Sequence, residues 1–422
     1  MLLYRAAAAA ALAAYAPYAA LRSVSGGRRL GDVRGRLGWR KWPDLGGGTW
    51  IHGVSVGEVG VARTLLGALE RVRPGSRFGV SATTEAGRAL AERALAGRAE
   101  VFPFPFDLAG AVEKALRETR AGLVVLVETE IWPLFLERAE RRGVPVVLAN
   151  GRLSERSFRR YRRAGRFVRR TLSRLALLAM QSRDDADRAL ALGAPAERVI
   201  VTGNLEFDPP EAGPFPDAAR LREAAAGRPV LAAGSTAEGE DEVVLAAWLT
   251  LPQRPLLFLA PRRPERFDPV ARLCESRGLT VLRRTRPSTA AAIPDVYLLD
   301  SIGELAPAYR EASLAFIGGS LVPHGGQNPI EAWAAGVATF AGPHMENFRD
   351  VAAAGEARGV LERVEDGAAL GRRLAAALTD LETTRRLGRE AARLAGENRG
   401  AADRTAAAVA RWLPEPARGA AS

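Results

Sequence analysis

From Thr49 onward, short runs of β-branched and aliphatic residues alternate with longer stretches whose apolar positions recur at helical spacing. Apolar runs of this length fit strands buried on both faces, and the longer periodic stretches fit amphipathic helices. The pattern predicts strands at Trp50–Val54, Arg77–Ser81, Leu123–Val127, Val144–Leu148, Leu175–Met180 and Val199–Thr202. After a break it predicts Pro229–Ala233, Pro255–Ala260, Leu279–Leu282, Val296–Leu299, Leu314–Ile317 and Val337–Phe340. Strands alternating with helices read as βα units on parallel sheets. The break is Phe207–Pro216, with four prolines in ten residues. The predicted class is therefore α/β, with two Rossmann-like doubly wound domains, 48–206 and 217–395, and a cleft between them. A Pro-rich linker (207–216) joins them, and 396–422 forms a C-terminal helix and tail. Residues 366–413 read as helical, and could close the chain back over the first domain.

Composition narrows the class. Of 422 residues, 47% are hydrophobic and 26% charged, enough to bury large cores and to exclude wholesale disorder. One cysteine, Cys274, excludes an intramolecular disulfide framework and a cysteine-rich zinc site. The formal net charge is +12 and calls for an acidic partner: nucleic acid, anionic lipid or a phosphorylated small molecule. Residues 6–21 carry no charge and lie between Arg5 and Arg22. The run is short for a membrane-crossing helix, which needs about 20 apolar residues, and Pro17 interrupts it. Arg22, Arg28, Arg29, Arg34, Arg36, Arg40 and Lys41 follow it. Such a block holds the succeeding chain on the cytoplasmic side. A secretory signal carries its positive charges before the apolar run, so 1–22 reads as an anchor helix, with a cleaved signal or a soluble leading helix as the other readings.

Ligands of open α/β sheets bind beyond the carboxyl ends of the strands. Four segments there share one pattern: Ser55-Val-Gly-Glu58, Ser235-Thr-Ala-Glu238, Ser301-Ile-Gly-Glu304 and Asn328-Pro-Ile-Glu331. Each has the form of a capping box, in which the glutamate reaches back to the cap N–H. These glutamates are thus either helix starters or site residues. Glycines around 52–58 and 318–327 admit an anion to backbone N–H groups. The three histidines, His52, His324 and His344, fall in turn motifs without the spacing of a metal site. Glu128 and Glu130 end an apolar strand, as a solvated turn or as paired carboxylates for acid/base work. Arg262 follows another strand and suits a bidentate phosphate contact. Arg156 to Arg174 contains nine arginines with interleaved Phe158, Phe167, Val168 and Leu172. That pattern fits a solvated face, a membrane surface or a phosphorylated acceptor, and no nucleic-acid motif accompanies it.

Together these segments resemble the 3-deoxy-D-manno-octulosonic acid (Kdo) transferases of lipopolysaccharide synthesis. The resemblance rests on H-G-V-S-V-G-E at 52–58, E-T-E-I-W-P at 128–133, N-G-R-L-S-x-R-S at 150–157 and G-N-L-x-F-D at 203–208. It continues through A-G-S-T-x-x-G-E at 233–240, P-R-x-P-E-R-F at 261–267, G-G-S-L-V-x-x-G-G-Q-N-P-I-E at 318–331 and G-P-H-x-x-N-F-x-D at 342–350. It implies a glycosyltransferase of the GT-B type that inverts the anomeric centre, with no metal in the site and no cofactor. The implied donor is CMP-Kdo, held by the second domain. The implied acceptor is a bis-phosphorylated lipid A precursor, held by the first. The implied general base is Glu58, and the implied transition-state support is Glu128. The implied CMP contacts are Pro261 and Arg262, then Ile302, Gly303 and Glu304, then Asn328, Pro329, Ile330 and Glu331. The macrodipole at a helix N-terminus is expected to keep Glu58 ionised, and the helices after Ser301 and Asn328 to complement CMP. The implied location is the inner (cytoplasmic) membrane, with the catalytic domains on its cytoplasmic side and an anionic lipid surface as partner. Departures from the family pattern are Glu206 where a lysine is usual, Arg263, Ala237 and Ala86. Competing readings are another nucleotide-sugar transferase or epimerase on the same fold, and a non-enzymatic membrane-associated binding protein.

Overall fold

The computed structural model describes residues 30–208, 213–286 and 293–415. The anchor segment 1–22 and linker residues 209–212 lie outside the described residues. The chain divides into two units, one running to Asp208 and resuming at Arg399, the other spanning Pro209–Asn398.

Among its described residues the first unit carries seven strands: β1 (Thr49–Gly53), β2 (Phe78–Ala82), β3 (Glu100–Pro103), β4 (Leu123–Val127), β5 (Val146–Gly151), β6 (Leu177–Met180) and β7 (Val199–Val201). They form one sheet in the order β3-β2-β1-β4-β5-β6-β7, with every pairing parallel. Helices cover both faces, which is why the central strands are mostly apolar on both sides, with Thr49, His52, Ser81 and Asn150 among the exceptions. Trp50, Val124, Leu126 and Leu148 face one core, with Phe104 and Phe135. Ile51, Val125, Val127 and Val147 face the other. The helix Ala401–Val409 contributes Ala402 and Ala406 to that second core. Of the segment 366–413 expected to return over the first domain, only the part after Asn398 does so; helices Gly367–Thr379 and Leu381–Glu397 belong to the second unit.

The second unit repeats the plan with β8 (Val230–Thr236), β9 (Leu256–Pro261), β10 (Val281–Arg283), β11 (Val296–Leu298), β12 (Leu314–Ile317), β13 (Thr339–Ala341) and β14 (Leu361–Arg363). Their order is β10-β11-β9-β8-β12-β13-β14, again all parallel. Strand order reverses direction between β1 and β4 in the first sheet and between β8 and β12 in the second. Those two switch points are where such sheets open a crevice.

The periodicity missed β3 and β14. Both are short edge strands interrupted by charge or proline, Glu100-Val-Phe-Pro103 and Leu361-Glu-Arg363. Edges are built that way to discourage pairing with other chains, at the cost of the apolar signature of a strand.

Candidate active site

In the first unit, β1 delivers the chain into the turn Val54–Ser55 and then into the helix Val56–Val72. Ser55 is the N-cap, its Oγ accepting from the Glu58 N–H at 3.4 Å. The Glu58 carboxylate accepts from the Val54 N–H at 2.8 Å and from the Ser55 hydroxyl at 3.0 Å. Thr84 pins the same turn from β2's end, its N–H and its hydroxyl each donating to the Val54 carbonyl at 3.0 Å. Glu58 is therefore a helix-start glutamate and also a fixed carboxylate at the β1–β4 switch point.

Glu128 comes from the other side of that switch point, one residue after β4. Its φ is +63°, a left-handed conformation that costs a non-glycine residue energy and concentrates at functional sites. Its N–H donates to the Ala149 carbonyl at 2.9 Å. Glu130 follows, and its carboxylate accepts from Trp132 Nε1 at 2.8 Å.

These acids perturb one another. Burial, then the charges of Glu58 and Glu206, push the Glu128 carboxyl up to about 8, against the pull of Arg152. Burial and Glu58 push Glu130 up to about 7. Glu58 is also raised, by burial, against the lowering hydrogen bonds from Val54 and Ser55. The expectation that the helix start alone keeps Glu58 ionised needs correcting: desolvation outweighs it, and the two hydrogen bonds limit the rise. Glu206 lies close enough to add to the rise of Glu128. Its segment is tied to the end of β5, because the Leu205 N–H donates to Asn150 Oδ1 at 2.9 Å.

His52, on β1, is fully buried and stacked on Phe104 at 3.7 Å. Burial drives its pKa down to about 3, so the ring is neutral. Its Nε2 lies 4.0 Å from a Glu130 carboxylate oxygen. The sequence marked both His52 and Glu130 but gave no sign that they are neighbours.

In the second unit, Ser235 interrupts β8 with φ +56°, at a register shift between Gly234 and Thr236. The bulge brings its carbonyl against Gly318, where an added Cβ would lie 2.5 Å from Ser235 O. The expected box Ser235–Glu238 does not form. Glu238 is exposed, and Glu240 reaches back instead, accepting the Ala237 N–H at 3.0 Å. Glu240 is fully buried and also accepts the N–H groups of Gly319 at 2.6 Å, Ser320 at 2.9 Å and Leu321 at 2.9 Å. The glycine-rich loop after β12 is thus folded around an internal carboxylate. Its N–H groups, expected to receive an external anion, are already engaged.

Pro261 ends β9 and Arg262 follows, its guanidinium donating to the Gln327 side-chain oxygen. Burial lowers Arg262, and Glu331 lies within electrostatic reach of it. The Asn328 side chain accepts the Ile330 N–H at 2.9 Å, and Pro329 leads into the helix Ile330–Ala334. Ser301 donates to Glu304, which also accepts from Arg284 at 3.0 Å. Ile302 is 64% exposed, an open apolar surface beside Gly303. The helices after Ser301 and Asn328 are only four and five residues long, too short for a strong macrodipole, so side chains carry the polarity here. Among the described residues, no group of three His, Cys, Asp or Glu is arranged to hold a metal ion.

The arginine-rich segment forms two helices, Glu155–Arg163 and Gly165–Leu172, with Phe158, Tyr161 and Phe167 turned toward the core. Arg159 is largely exposed, whereas Arg174 is buried against Glu140 at 2.9 Å. Trp39 is 70% exposed, with the Arg34 guanidinium 5.6 Å from its ring.

Residues 29–209 match the family profile described as 3-Deoxy-D-manno-octulosonic-acid transferase (kdotransferase). A 3-deoxy-D-manno-octulosonic acid transferase of Bordetella pertussis is 37% identical over 349 residues, covering 79% of each chain. That of Haemophilus influenzae is 34% identical over 364 residues, covering 85% of each. The crystal structure of the kitacinnamycin glycosyltransferase superposes with a TM-score of 0.55 at 15% identity, covering 87% of this chain and 99% of the other, a likeness of fold.

Proposed function

Because the chain belongs to the Kdo transferases, a family of glycosyltransferases with the GT-B fold, we propose that it moves Kdo from CMP-Kdo to a phosphorylated lipid A precursor, with inversion at the anomeric carbon and without a metal. In this reading an acceptor hydroxyl attacks the anomeric carbon, the bond from that carbon to the CMP phosphate oxygen breaks, and its electron pair leaves with CMP. The hydroxyl proton goes to Glu58. The observation that carries the assignment is the bonding of Glu58 at the β1–β4 switch point: two donors, the Val54 N–H and the Ser55 hydroxyl, support its ionised form.

The acids around it fit the division of labour. Closely spaced carboxylates do not ionise together, and environments that push their pKa values apart assign the proton-holding and proton-taking roles. Glu128, raised to about 8, and Glu130, raised to about 7, retain protons near neutrality. Glu58 is then the member free to act as base, and protonated Glu128 supplies a hydrogen-bond donor to the transition state.

The donor reading assigns CMP to the second unit. Arg262 faces the phosphate, Pro261 and the Ile302-Gly303-Glu304 turn flank the nucleoside, and Asn328, Pro329, Ile330 and Glu331 close the site. An arginine held by a neutral amide keeps its charge for an anion, which favours this use of Arg262.

We also assign the protein to the cytoplasmic face of the inner membrane. Exposed arginines on Glu155–Arg163 and exposed Trp39 suit a headgroup region bearing phosphates. Deleting residues 1–21 is expected to release the protein from membranes; retention would transfer the contact to the arginine-rich helices.

Mass spectrometry of lipid A precursor incubated with CMP-Kdo and purified protein tests the function. The expected product carries added Kdo. Glu58→Gln keeps a capping side chain, so it is expected to fold normally and lose roughly 100-fold or more in rate. An active Glu58→Gln enzyme, or transfer from a UDP-sugar in preference to CMP-Kdo, would overturn the assignment.

A further inference from the structure

We propose that Glu240 restricts the second unit to donors that leave through a single phosphate, an inference that rests on the CMP-sugar reading of this unit. Three successive backbone N–H groups, from Gly319, Ser320 and Leu321, converge on one point. A convergent set of backbone donors is a concavity that ordinarily receives phosphate oxygens. Here the occupant belongs to the protein. Both oxygens of Glu240 fill the concavity at 2.6 to 2.9 Å, and the side chain is fully buried. The carboxylate takes the donors a phosphate would need and places a fixed negative charge behind the loop.

Two of the neighbouring cations, Arg266 and Arg284, are committed in the same sense. Arg266 is paired with Asp241 and donates to the Thr236 carbonyl at 2.9 Å. Arg284 donates to Glu304 at 3.0 Å. Arg262 is held by Gln327, a neutral partner. Gln327 lies against the loop itself, since a Cβ on Gly319 would come within 3.0 Å of its Nε2. From Arg262, then, one amide side chain leads to the loop, and Glu240 lies directly beneath. A phosphate on Arg262 finds a matching charge. A second phosphate reaching toward the loop finds engaged N–H groups and the charge of Glu240. Repulsion between unit charges a few ångströms apart is worth a measurable factor in affinity even when partly screened.

Calorimetric binding of CMP and CDP to the full-length protein, with a chelator present, tests this. Wild type is expected to prefer CMP by roughly tenfold or more, and Glu240→Gln to narrow that ratio by about threefold or more, because the amide removes the charge. A merely structural role for Glu240 would weaken both nucleotides together and leave the ratio unmoved. An unchanged ratio in a folded Glu240→Gln protein overturns the proposal. So does wild type binding CDP as tightly as CMP, a comparison that decides the matter even if the variant does not fold. If Kdo transfer occurs while CDP matches CMP, only the role of Glu240 fails. If neither nucleotide binds and no transfer occurs, the donor reading itself fails, and this proposal with it.

Discussion

His52 Nε2 lies 4.0 Å from Glu130 Oε2, and it is a buried ring nitrogen with no hydrogen-bond partner. The ring cannot turn away. Its Nδ1 sits 2.9 Å from Ser81 Oγ and 3.1 Å from the Ser81 carbonyl, and Phe104 covers its face. With His52 neutral, Nε2 offers a lone pair to Glu130, and a protonated Glu130 can direct its O–H there. An ionised Glu130 presents only lone pairs.

Stability should therefore depend on pH through this acid. Glu130 is raised to about 7 from an ordinary 4.5, so between those values the folded protein holds more protons than the unfolded chain. The stabilisation present at low pH is lost as pH rises through the folded value. Glu130→Gln, which carries no charge at any pH and can still accept from Trp132, is expected to fold and to remove this loss, gaining about 1–3 kcal/mol over wild type at pH 8.5 and little at pH 4.5. Thermal unfolding at both pH values checks it. Parallel shifts of the two proteins would mean that Glu130 does not hold the proton.

Glu206 departs from the lysine that the family resemblance leads one to expect, and its charge helps raise Glu128 toward 8. Glu206→Lys replaces a raising charge with a lowering one. The expected result is a shift of the Glu128 titration to lower pH by about one unit. The titration can be followed by carboxyl-selective NMR or by the pH profile of kcat/KM. A profile that stays in place would show that the two side chains do not communicate.

Arg262→Ala removes the guanidinium that Gln327 presents. Affinity for CMP is expected to fall roughly 10- to 100-fold, with unfolding behaviour little changed. Gln327→Ala, which leaves the charge but frees its orientation, should cost only about threefold. Equal losses in the two variants would argue that Gln327 itself holds the nucleotide.

Gly318 is fixed by close approach. A Cβ there would lie 2.5 Å from Ser235 O and 2.6 Å from Thr236 Cα, both backbone atoms that cannot step aside cheaply. Gly318→Ala is expected to destabilise the second unit by about 2–4 kcal/mol, read from denaturant unfolding. A shift within error of wild type would mean that the β8 bulge relaxes freely.

Much of the architecture is local information. Central strands such as Leu123–Val127 and Leu314–Ile317 are uninterrupted apolar runs because both their faces are covered, and these two emerge with the bounds the periodicity predicts. Edge strands β3 and β14 escape the same reading because half-exposed strands tolerate charge. Glu58 and Glu128 are legible as site residues because chain direction puts each just past a strand's carboxyl end. Their meeting is a matter of sheet order, since β1 pairs with β4 rather than with β3.

The amino-acid sequence by itself determined the α/β rhythm, the strand-end glutamates and the ordered motifs that mark the family, because these depend on neighbours a few residues apart. The tertiary structure decided what surrounds each glutamate. Glu240 rather than Glu238 reaches the glycine loop, through a bond to Gly319 spanning 79 positions of chain. Desolvation and mutual repulsion, which exist only once β1 and β4 lie side by side, raise Glu128 and Glu130, and burial raises Glu58 against its two hydrogen bonds. A residue's chemistry is set by what surrounds it in space, and no local spacing encodes that surrounding.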